Sequence, residues 1–241
     1  MSVTSQYKRA WESFWSEAPD DPGAVFWDAE PALTSGLHLA LFEPHLMAAD
    51  LPLVDLGCGN GTQTFFLAER LPRVTGVDLS AAALAHARRR DPLGAVPFRE
   101  IDAADPDAVC RLHGELGDTH VYMRGVLHQC DPDDRQPLID SIATLVGERG
   151  RAFVVEPAEA ASAELTVLAQ RPAGPPPKLR PVLTHGIATG TVRDAALPQF
   201  IRTAGLSVLA RGELPLLTTE YVADGIRIAL PSNWLVVGRT G

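Results

Sequence analysis

Residues 54–64 read VDLGCGNGTQT, an apolar run that changes abruptly into three glycines separated by single residues. Glycine allows backbone conformations that other residues avoid, so the stretch predicts a strand followed by a sharp turn. Such a turn can hold a dinucleotide, a mononucleotide phosphate or another nucleoside, and it can also be no more than a tight turn. The surrounding sequence has to distinguish these cases.

Composition predicts one domain with a full hydrophobic core. The chain has 241 residues, 46% of them hydrophobic, and a formal net charge of -9. A negative charge disfavours nucleic acid as a partner, because contact with phosphates needs a clustered basic surface. The dense basic run at residues 86–90 lies near the end of a predicted helix, where we expect it to face solvent.

No apolar run reaches the roughly 18 residues that a membrane helix needs, and charges interrupt the first residues where a signal peptide would be apolar. We therefore expect a cytoplasmic protein without a membrane partner, as a monomer or homodimer. Cys58, Cys110 and Cys130 are far apart and form no CxxC motif. This spacing indicates reduced thiols, with neither a disulfide framework nor a zinc site.

Short apolar runs alternate with stretches of helical periodicity from residue 51 onward, which predicts an α/β fold with a doubly wound parallel sheet. The predicted strands are residues 51–56, 73–77, 96–101, 119–123 and 151–155. Ser80 is a predicted N-cap, and Asp131 is another, with Pro132 in the first helical position. Both helix starts agree with the strand assignment.

Residues 1–50 differ in character and are predicted to form an N-terminal helical cap. Tyr7, Trp11, Phe14 and Trp15 follow helical spacing and would share one face. This face could dock on the core, or it could form a lid over a ligand together with Trp27.

Residues 51–241 form the main predicted domain. The prolines between positions 172 and 181 predict a loop, and the TVRD sequence at 191–194 resembles a capping box that would begin a helix. Strand-like runs follow at residues 206–217 and 234–237.

Two further carboxylates indicate a nucleoside ligand. Asp78 ends the second predicted strand and Asp102 follows the third, so both belong at the sheet edge where α/β proteins bind ligands. Each could instead cap a turn or helix. The turn has GxGxG spacing rather than the dinucleotide pattern GxGxxG, and Asp55 precedes it, which would repel a pyrophosphate but suit a cationic amine. A Walker motif is excluded because no GK[ST] follows.

Four stretches together resemble the class I S-adenosylmethionine-dependent methyltransferases: VDLGCGNG at 54–61, VTGVDLS at 74–80, REIDAAD at 99–105 and HVYMRGVLHQC at 120–130. The resemblance implies a three-layer, Rossmann-like, seven-stranded sheet in the order 3-2-1-4-5-7-6, with the last strand antiparallel. It also implies S-adenosylmethionine as the cofactor, S-adenosylhomocysteine as its product, and substrate-binding insertions near residues 171–190 and 218–233.

The resemblance assigns cofactor roles by position. The methionine part would be held by Asp55 and the turn residues Gly57, Cys58, Gly59, Gly61 and Thr62, with Arg124 and Gly125 alongside. Asp78 and Leu79 would bind the ribose, Asp102 and Ala103 the adenine, and Trp11, Trp15 or Trp27 would cover the cofactor.

His128 and Arg124 are the candidate catalytic residues. A hydroxyl acceptor needs a base to take its proton, and His128 follows the fourth predicted strand. A carboxylate acceptor needs no base, and His128 and Arg124 would then position it; His128 could also be purely structural. Glu156, at the end of the fifth strand, could contact substrate or serve packing. We expect no metal ion.

The predicted function is methylation of a small molecule in specialised metabolism, at oxygen rather than at nitrogen or carbon. Lys178, Arg180 and His185 in the first insertion favour an anionic acceptor. A non-methylating reaction, such as a cyclisation, stays open, whereas a nicotinamide oxidoreductase would have to tolerate Asp55.

Overall fold

The structure is a computed structural model that describes residues 3–48, 50–187, 190–222 and 224–240. The predicted cap at 1–50 and the insertions at 171–190 and 218–233 each extend over positions outside the described residues, namely 1, 2, 49, 188, 189 and 223. The rest of each predicted segment is described.

A seven-stranded sheet lies at the centre of the molecule. In chain order the strands are β1 (Leu53–Leu56), β2 (Val74–Asp78), β3 (Phe98–Glu100), β4 (His120–Arg124), β5 (Ala152–Pro157), β6 (Ser207–Glu213), β7 (Leu216–Tyr221), β8 (Arg227–Leu230) and β9 (Ser232–Gly238). The sheet order is β3-β2-β1-β4-β5-β9-β6, with β9 antiparallel to both of its neighbours. Since β9 is the seventh strand of this sheet, the predicted order 3-2-1-4-5-7-6 is confirmed.

Helices cover both faces of the sheet. They are α1 (Val3–Glu17), α2 (Ser35–Phe42), α3 (Thr62–Ala68), α4 (Ala81–Arg90), α5 (Pro106–Leu116), α6 (Arg135–Val146), α7 (Glu159–Ala169), α8 (Leu179–Thr184) and α9 (Ala196–Thr203). One face packs against α5, α6 and α9, whereas the opposite face packs against α1, α2, α7 and α8. The result is the predicted three-layer arrangement.

Alternation along the strands assigns side chains to the two faces. On β1, Val54 and Leu56 join the core beneath α5 and α6, whereas Leu53 joins the core on the other face. Asp55 pairs in register with Tyr122 of β4, so both side chains share the face of Leu53. This face carries the cap and the candidate site.

Helix starts were predicted with mixed success. Ser80 caps α4 as predicted, because its hydroxyl accepts a hydrogen bond from the Ala83 amide at 3.1 Å. Asp131 occupies the N-cap position of a short 3₁₀ helix at Pro132–Asp134, with Pro132 in the first helical position as predicted. Its side chain makes no capping hydrogen bond, so the expected capping contact was wrong.

The predicted helix start at Thr191 was also wrong, since α9 begins at Ala196. Asp194, the last residue of the supposed capping box, instead accepts hydrogen bonds from the Glu159 amide and from Asn233 Nδ2, at 3.0 and 2.9 Å. A tertiary contact therefore replaces the local cap.

Two segments contain more structure than predicted. The proline-rich segment holds α8, which tolerates Pro181 because its first turn needs no intrahelical donor. The run at 206–217 is divided between β6 and β7, and β7 pairs with β8 in a separate two-stranded sheet. Among the described residues, no helix is both long and apolar enough to cross a membrane.

Candidate active site

The glycine turn follows β1 at the carboxyl edge of the sheet. Gly57, Gly59 and Gly61 have φ angles of 77°, 55° and 76°, in the left-handed region that favours glycine. A side chain at Gly57 would collide with Val126, and one at Gly59 would lie 3.0 Å from the Trp15 ring. These glycines therefore permit both the turn and the close approach of neighbouring side chains.

Asp55 lies at the base of the turn and is almost fully buried. Its Oδ2 accepts a hydrogen bond from the Thr64 hydroxyl at 2.6 Å. Burial raises the pKa of Asp55 to about 6, against the opposing effects of this hydrogen bond and the nearby Arg124 guanidinium. A cationic ligand group would stabilise the charged carboxylate.

Asp78 ends β2 beside the turn. Its carboxylate accepts hydrogen bonds from the amides of Gly59 and Ser80, both at 2.9 Å. Burial raises the pKa of Asp78, and the Glu12 carboxylate acts in the same direction, while the backbone amides oppose the shift. Asp102, after β3, accepts from the Ala104 amide at 3.0 Å and also lines the cleft.

The N-terminal segment covers the cleft above these carboxylates. Trp11, Phe14 and Trp15 of α1 form an aromatic cluster with Trp27, with ring centroids 5.4–6.3 Å apart. Trp15 is buried against the glycine turn, and all three tryptophans line the cleft. The helix is thus both docked on the core and placed over the cleft.

Polar contacts hold this cover in place. Glu12 accepts hydrogen bonds from the Ser80 hydroxyl and the Ala82 amide, at 2.7 and 3.1 Å. Arg124 Nη2 donates to the Trp27 carbonyl at 2.8 Å.

His86 lies 2.7 Å from the Trp15 carbonyl and 2.5 Å from an Asp20 oxygen. His86 is buried, so the prediction that the whole 86–90 run faces solvent was wrong.

His128 belongs to a chain of hydrogen bonds on the other side of the cleft. Its Nδ1 lies 2.8 Å from Glu156 Oε2, and its Nε2 lies 2.8 Å from Gln129 Nε2. The Tyr7 hydroxyl donates to Gln129 Oε1 at 2.9 Å. Because Tyr7 donates to the amide oxygen, the Gln129 amide nitrogen donates to His128 Nε2, and His128 carries its proton on Nδ1.

Glu156 holds the loop that carries His128 by hydrogen bonds. It is buried, and its carboxylate accepts hydrogen bonds from the amides of Val126, Leu127 and His128 at 2.8–3.1 Å. It does not border the main cleft itself. Its contacts are therefore with the loop that carries His128.

The structure brings nearly all of the predicted site residues to one cleft. Those that line it are Trp11, Trp15, Trp27, Asp55, Gly57, Cys58, Gly59, Thr62, Asp78, Leu79, Asp102, Ala103, Arg124, Gly125 and His128. Gly61 does not line it, because it is buried at the start of α3, where a side chain would meet Phe98 and Ala87. The ligand contacts of all these residues stay predictions.

Sequence reasoning missed several polar residues of the cleft. Asp28 Oδ2 accepts from Asn60 Nδ2 at 2.9 Å and from the Gly23 amide at 3.2 Å, and so connects the N-terminal segment to the glycine turn. Gln63 and Gln129 also border the cleft. Asp28 directly follows Trp27 in the sequence VFWD at 25–28, which was the available signal for it.

The chain is similar to known methyltransferases. A family model described as a methyltransferase domain matches residues 53–150. Two relatives named trans-aconitate 2-methyltransferase are 53% identical over 55 residues in Acidovorax sp. (strain JS42) and 48% identical over 97 residues in Paracidovorax citrulli (strain AAC00-1). These matches cover 22% and 39% of this chain, and only 20% and 35% of those relatives.

A solved structure extends the similarity over the whole fold. A SAM-dependent methyltransferase from Anabaena variabilis is 29% identical, with a TM-score of 0.89 over 97% of this chain and 95% of that one. The family model, the sequence relatives and this solved structure together support a class I S-adenosylmethionine-dependent methyltransferase. The predicted family is thereby confirmed.

The cleft of this methyltransferase suits S-adenosylmethionine, the cofactor of the family. Among the residues that the structure describes, five carboxyl groups and two lysine or arginine side chains line it: Asp28, Asp55, Asp78, Asp102 and Asp134 against Lys8 and Arg124. An excess of carboxylates matches a ligand with a positively charged sulfonium and amine. Burial disfavours the ionised form of Asp55, so the ligand amine would stabilise the charge of this carboxylate most. No group of three or more potential metal ligands occurs in the described part of the chain.

Proposed function

We propose that this protein methylates a hydroxyl oxygen of a small molecule, with His128 as the general base. The observation that carries the proposal is the hydrogen-bond chain through His128. Glu156 Oε2 accepts a hydrogen bond from His128 Nδ1, with 2.8 Å between the two atoms, so the Nε2 lone pair faces the amide of Gln129 beside the cleft. An acceptor hydroxyl that replaces this amide would meet a basic nitrogen.

The chain's residues would act mainly by positioning and by proton transfer. Bound S-adenosylmethionine supplies an electrophilic methyl group on a positively charged sulfur. His128 Nε2 would take the hydroxyl proton as the new oxygen–carbon bond forms, and the buried Glu156 carboxylate would stabilise the resulting imidazolium. The aromatic cover formed by Trp11 and Trp27 would exclude water from the reacting groups.

Methylation of a carboxylate is the second candidate. It is supported by the names of the trans-aconitate 2-methyltransferases, which match only part of this chain, and by Arg124, which lines the cleft and could pair with a carboxylate. A carboxylate acceptor has no proton to lose. In that case His128 would be dispensable for proton transfer.

The two candidates can be separated with labelled S-adenosylmethionine and parallel panels of phenols and carboxylic acids. We expect methyl ethers, which resist mild alkali, whereas methyl esters would be cleaved by it. His128→Ala should reduce kcat at least a hundredfold without changing affinity for S-adenosylhomocysteine. His113→Ala is the matched control, because His113 lies on α5 and does not line the cleft.

Alkali-labile products together with an unchanged rate in His128→Ala would favour the carboxylate candidate. Consumption of an acceptor without release of S-adenosylhomocysteine would point instead to a non-methylating reaction.

A further inference from the structure

The cleft extends into an apolar chamber beyond the residues assigned to the cofactor. The chamber is lined by buried side chains from the segment after α1, from α7 and α8, and from the β7–β8 pair: Phe26, Leu165, Leu179, Val182, Leu216 and Leu230. They belong to one continuous hydrophobic cluster. Phe26 belongs to the N-terminal segment, and Leu179, Val182 and Leu230 belong to the predicted insertions. All six lining residues lie outside the four cofactor motifs of the sequence.

The sheet order places this chamber on the acceptor side. Asp102, Asp78 and Asp55 follow or belong to β3, β2 and β1, whereas Arg124 and His128 end and follow β4. The helix α7 follows β5, the next strand in the sheet. Along the sheet, β4 with Arg124 and His128 therefore lies between the strands of the three aspartates and β5, which precedes α7.

Polar groups that border the chamber use their hydrogen bonds within the protein. The Thr218 hydroxyl donates to the Ile228 carbonyl at 2.8 Å, and the Tyr122 hydroxyl lies 2.8 Å from His38 Nδ1. Burial lowers the pKa of His38 to about 3, so this pair stays uncharged. The chamber wall is thus both apolar and uncharged.

The charges of the cleft disfavour an anionic acceptor. Lys8 and Arg124 are the lysine and arginine side chains that line it within the described residues. Lys8 pairs with Glu100 of β3 at 3.1 Å, on the side of Asp102, and Arg124 donates to the Trp27 carbonyl at 2.8 Å. The excess of carboxylates described above would repel a polycarboxylate.

The cations that favoured an anionic acceptor in the sequence lie elsewhere. Lys178 Nζ donates to the carbonyls of Gly23 and Thr219, at 2.7 and 3.3 Å. Arg180 donates to the Pro175 carbonyl, and His185 Nε2 lies 3.3 Å from Glu17. None of these three side chains lines the cleft.

We infer that the chamber binds the uncharged, apolar body of the acceptor and presents a single hydroxyl to His128. The inference rests on the proposed O-methylation but names a substrate class, a hydrophobic alcohol or phenol, which neither the family nor the relatives specify. Leu179 of α8 and Leu216 of β7 are buried residues of the chamber wall, so truncating either one should change the size of apolar group that the chamber accepts.

A homologous series of probes tests the chamber without requiring turnover. Calorimetry on the complex of the full chain with S-adenosylhomocysteine would measure the affinities of 4-methyl-, 4-ethyl-, 4-propyl- and 4-butylphenol. Affinity should increase about fourfold for each added CH₂ until the chamber is full. Trans-aconitate, the anionic probe, should bind at least tenfold more weakly than 4-butylphenol.

Leu179→Ala enlarges the chamber and should weaken binding of the shorter phenols about tenfold, while longer alkyl chains restore affinity by filling the new space. Leu112→Ala is the matched control, because Leu112 is equally buried on α5 but does not line the cleft. Leu112→Ala should leave the affinities of the four alkylphenols unchanged.

The possible outcomes separate this inference from the proposed function. Three results would overturn the inference that the chamber binds an apolar acceptor, even if methyl transfer occurs. They are affinities that do not change with alkyl length, undetectable binding of the phenols, and binding of trans-aconitate that is tighter than that of 4-butylphenol. A rising series with recovery in Leu179→Ala, but without methylated product, would retain the chamber and overturn the proposed O-methylation.

Discussion

Cofactor affinity should depend on pH through Asp55. The folded protein holds the Asp55 proton more tightly than a model carboxyl does, because the pKa increases from 3.8 to about 6 on burial. A ligand amine binds the ionised carboxylate, so protonation of Asp55 competes with the ligand. The affinity for S-adenosylhomocysteine should therefore decrease as the pH falls through about 6.

The size of the effect follows from this titration. Well below the pKa, affinity should decrease about tenfold for each pH unit, and at pH 7 or above it should be constant. The increase in the pKa of Asp55 from 3.8 to about 6 corresponds to roughly 3 kcal/mol that opposes ionisation of this carboxyl group in the folded protein. Without ligand, the raised pKa of Asp55 stabilises the folded protein fully below a pH of about 4. This contribution is lost as the pH rises through about 6.

Calorimetric titration of S-adenosylhomocysteine at pH 5, 6, 7 and 8 would measure the dependence. Asp55→Asn removes the titrating group and should flatten the profile, with affinity at pH 8 reduced ten- to a hundredfold. Thr64→Val removes the hydrogen bond that favours the charged form, so its midpoint should move to higher pH.

A flat profile in the natural sequence would refute this reasoning, and so would the same slope in Asp55→Asn. In the second case another carboxyl would be titrating, with Asp78 the first candidate because burial also raises its pKa.

Three further perturbations test other parts of the site. Asp78→Ala should weaken S-adenosylhomocysteine binding by one to two orders of magnitude in calorimetry, if the side chain binds two ribose hydroxyls; unchanged affinity would remove it from the site. Glu156→Gln should slow turnover at least tenfold in steady-state assays without weakening cofactor binding, because His128 loses its charged support; an unchanged kcat would contradict the base role. Glu12→Gln should lower the melting temperature by about 2–4 °C in calorimetry, since α4 loses a charged partner at its first turn, and an unchanged value would show that α1 does not depend on this contact.

The central sheet could be predicted because parallel strands buried on both faces form short apolar runs separated by helical segments. The five parallel strands from β1 to β5 were all located to within a few residues. The β7–β8 pair was missed because residues 206–217 were predicted as one strand-like run, although Arg211, Gly212 and Glu213 interrupt its apolar residues. Pro215 and the Asp224–Gly225 pair were signals of a break and a hairpin, and Gly225 has a φ of 81°.

The cofactor side of the site was predictable for a related reason. Residues that follow parallel strands meet at one edge, so Asp55, Asp78 and Asp102 converge although they are far apart in sequence. Glu12 and Asp28 could not be found in this way, because they belong to the N-terminal segment and reach the site through tertiary packing. Leu179 and Leu216 were unrecognisable as well, since an apolar chamber wall has the same composition as a core.

The two sequence-based interpretations of α1, as a docked helix or as a lid, are compatible. Trp15 packs on Gly59, and Glu12 bonds to the start of α4, so the helix is fixed to the core of the cofactor motif. Trp11, one turn earlier than Trp15, borders the cleft from the same helix face. Any movement of α1 that opens the cleft must therefore separate Trp15 from the glycine turn and break the contacts of Glu12. Ligand exchange and local stability of the glycine turn are consequently coupled through one helix.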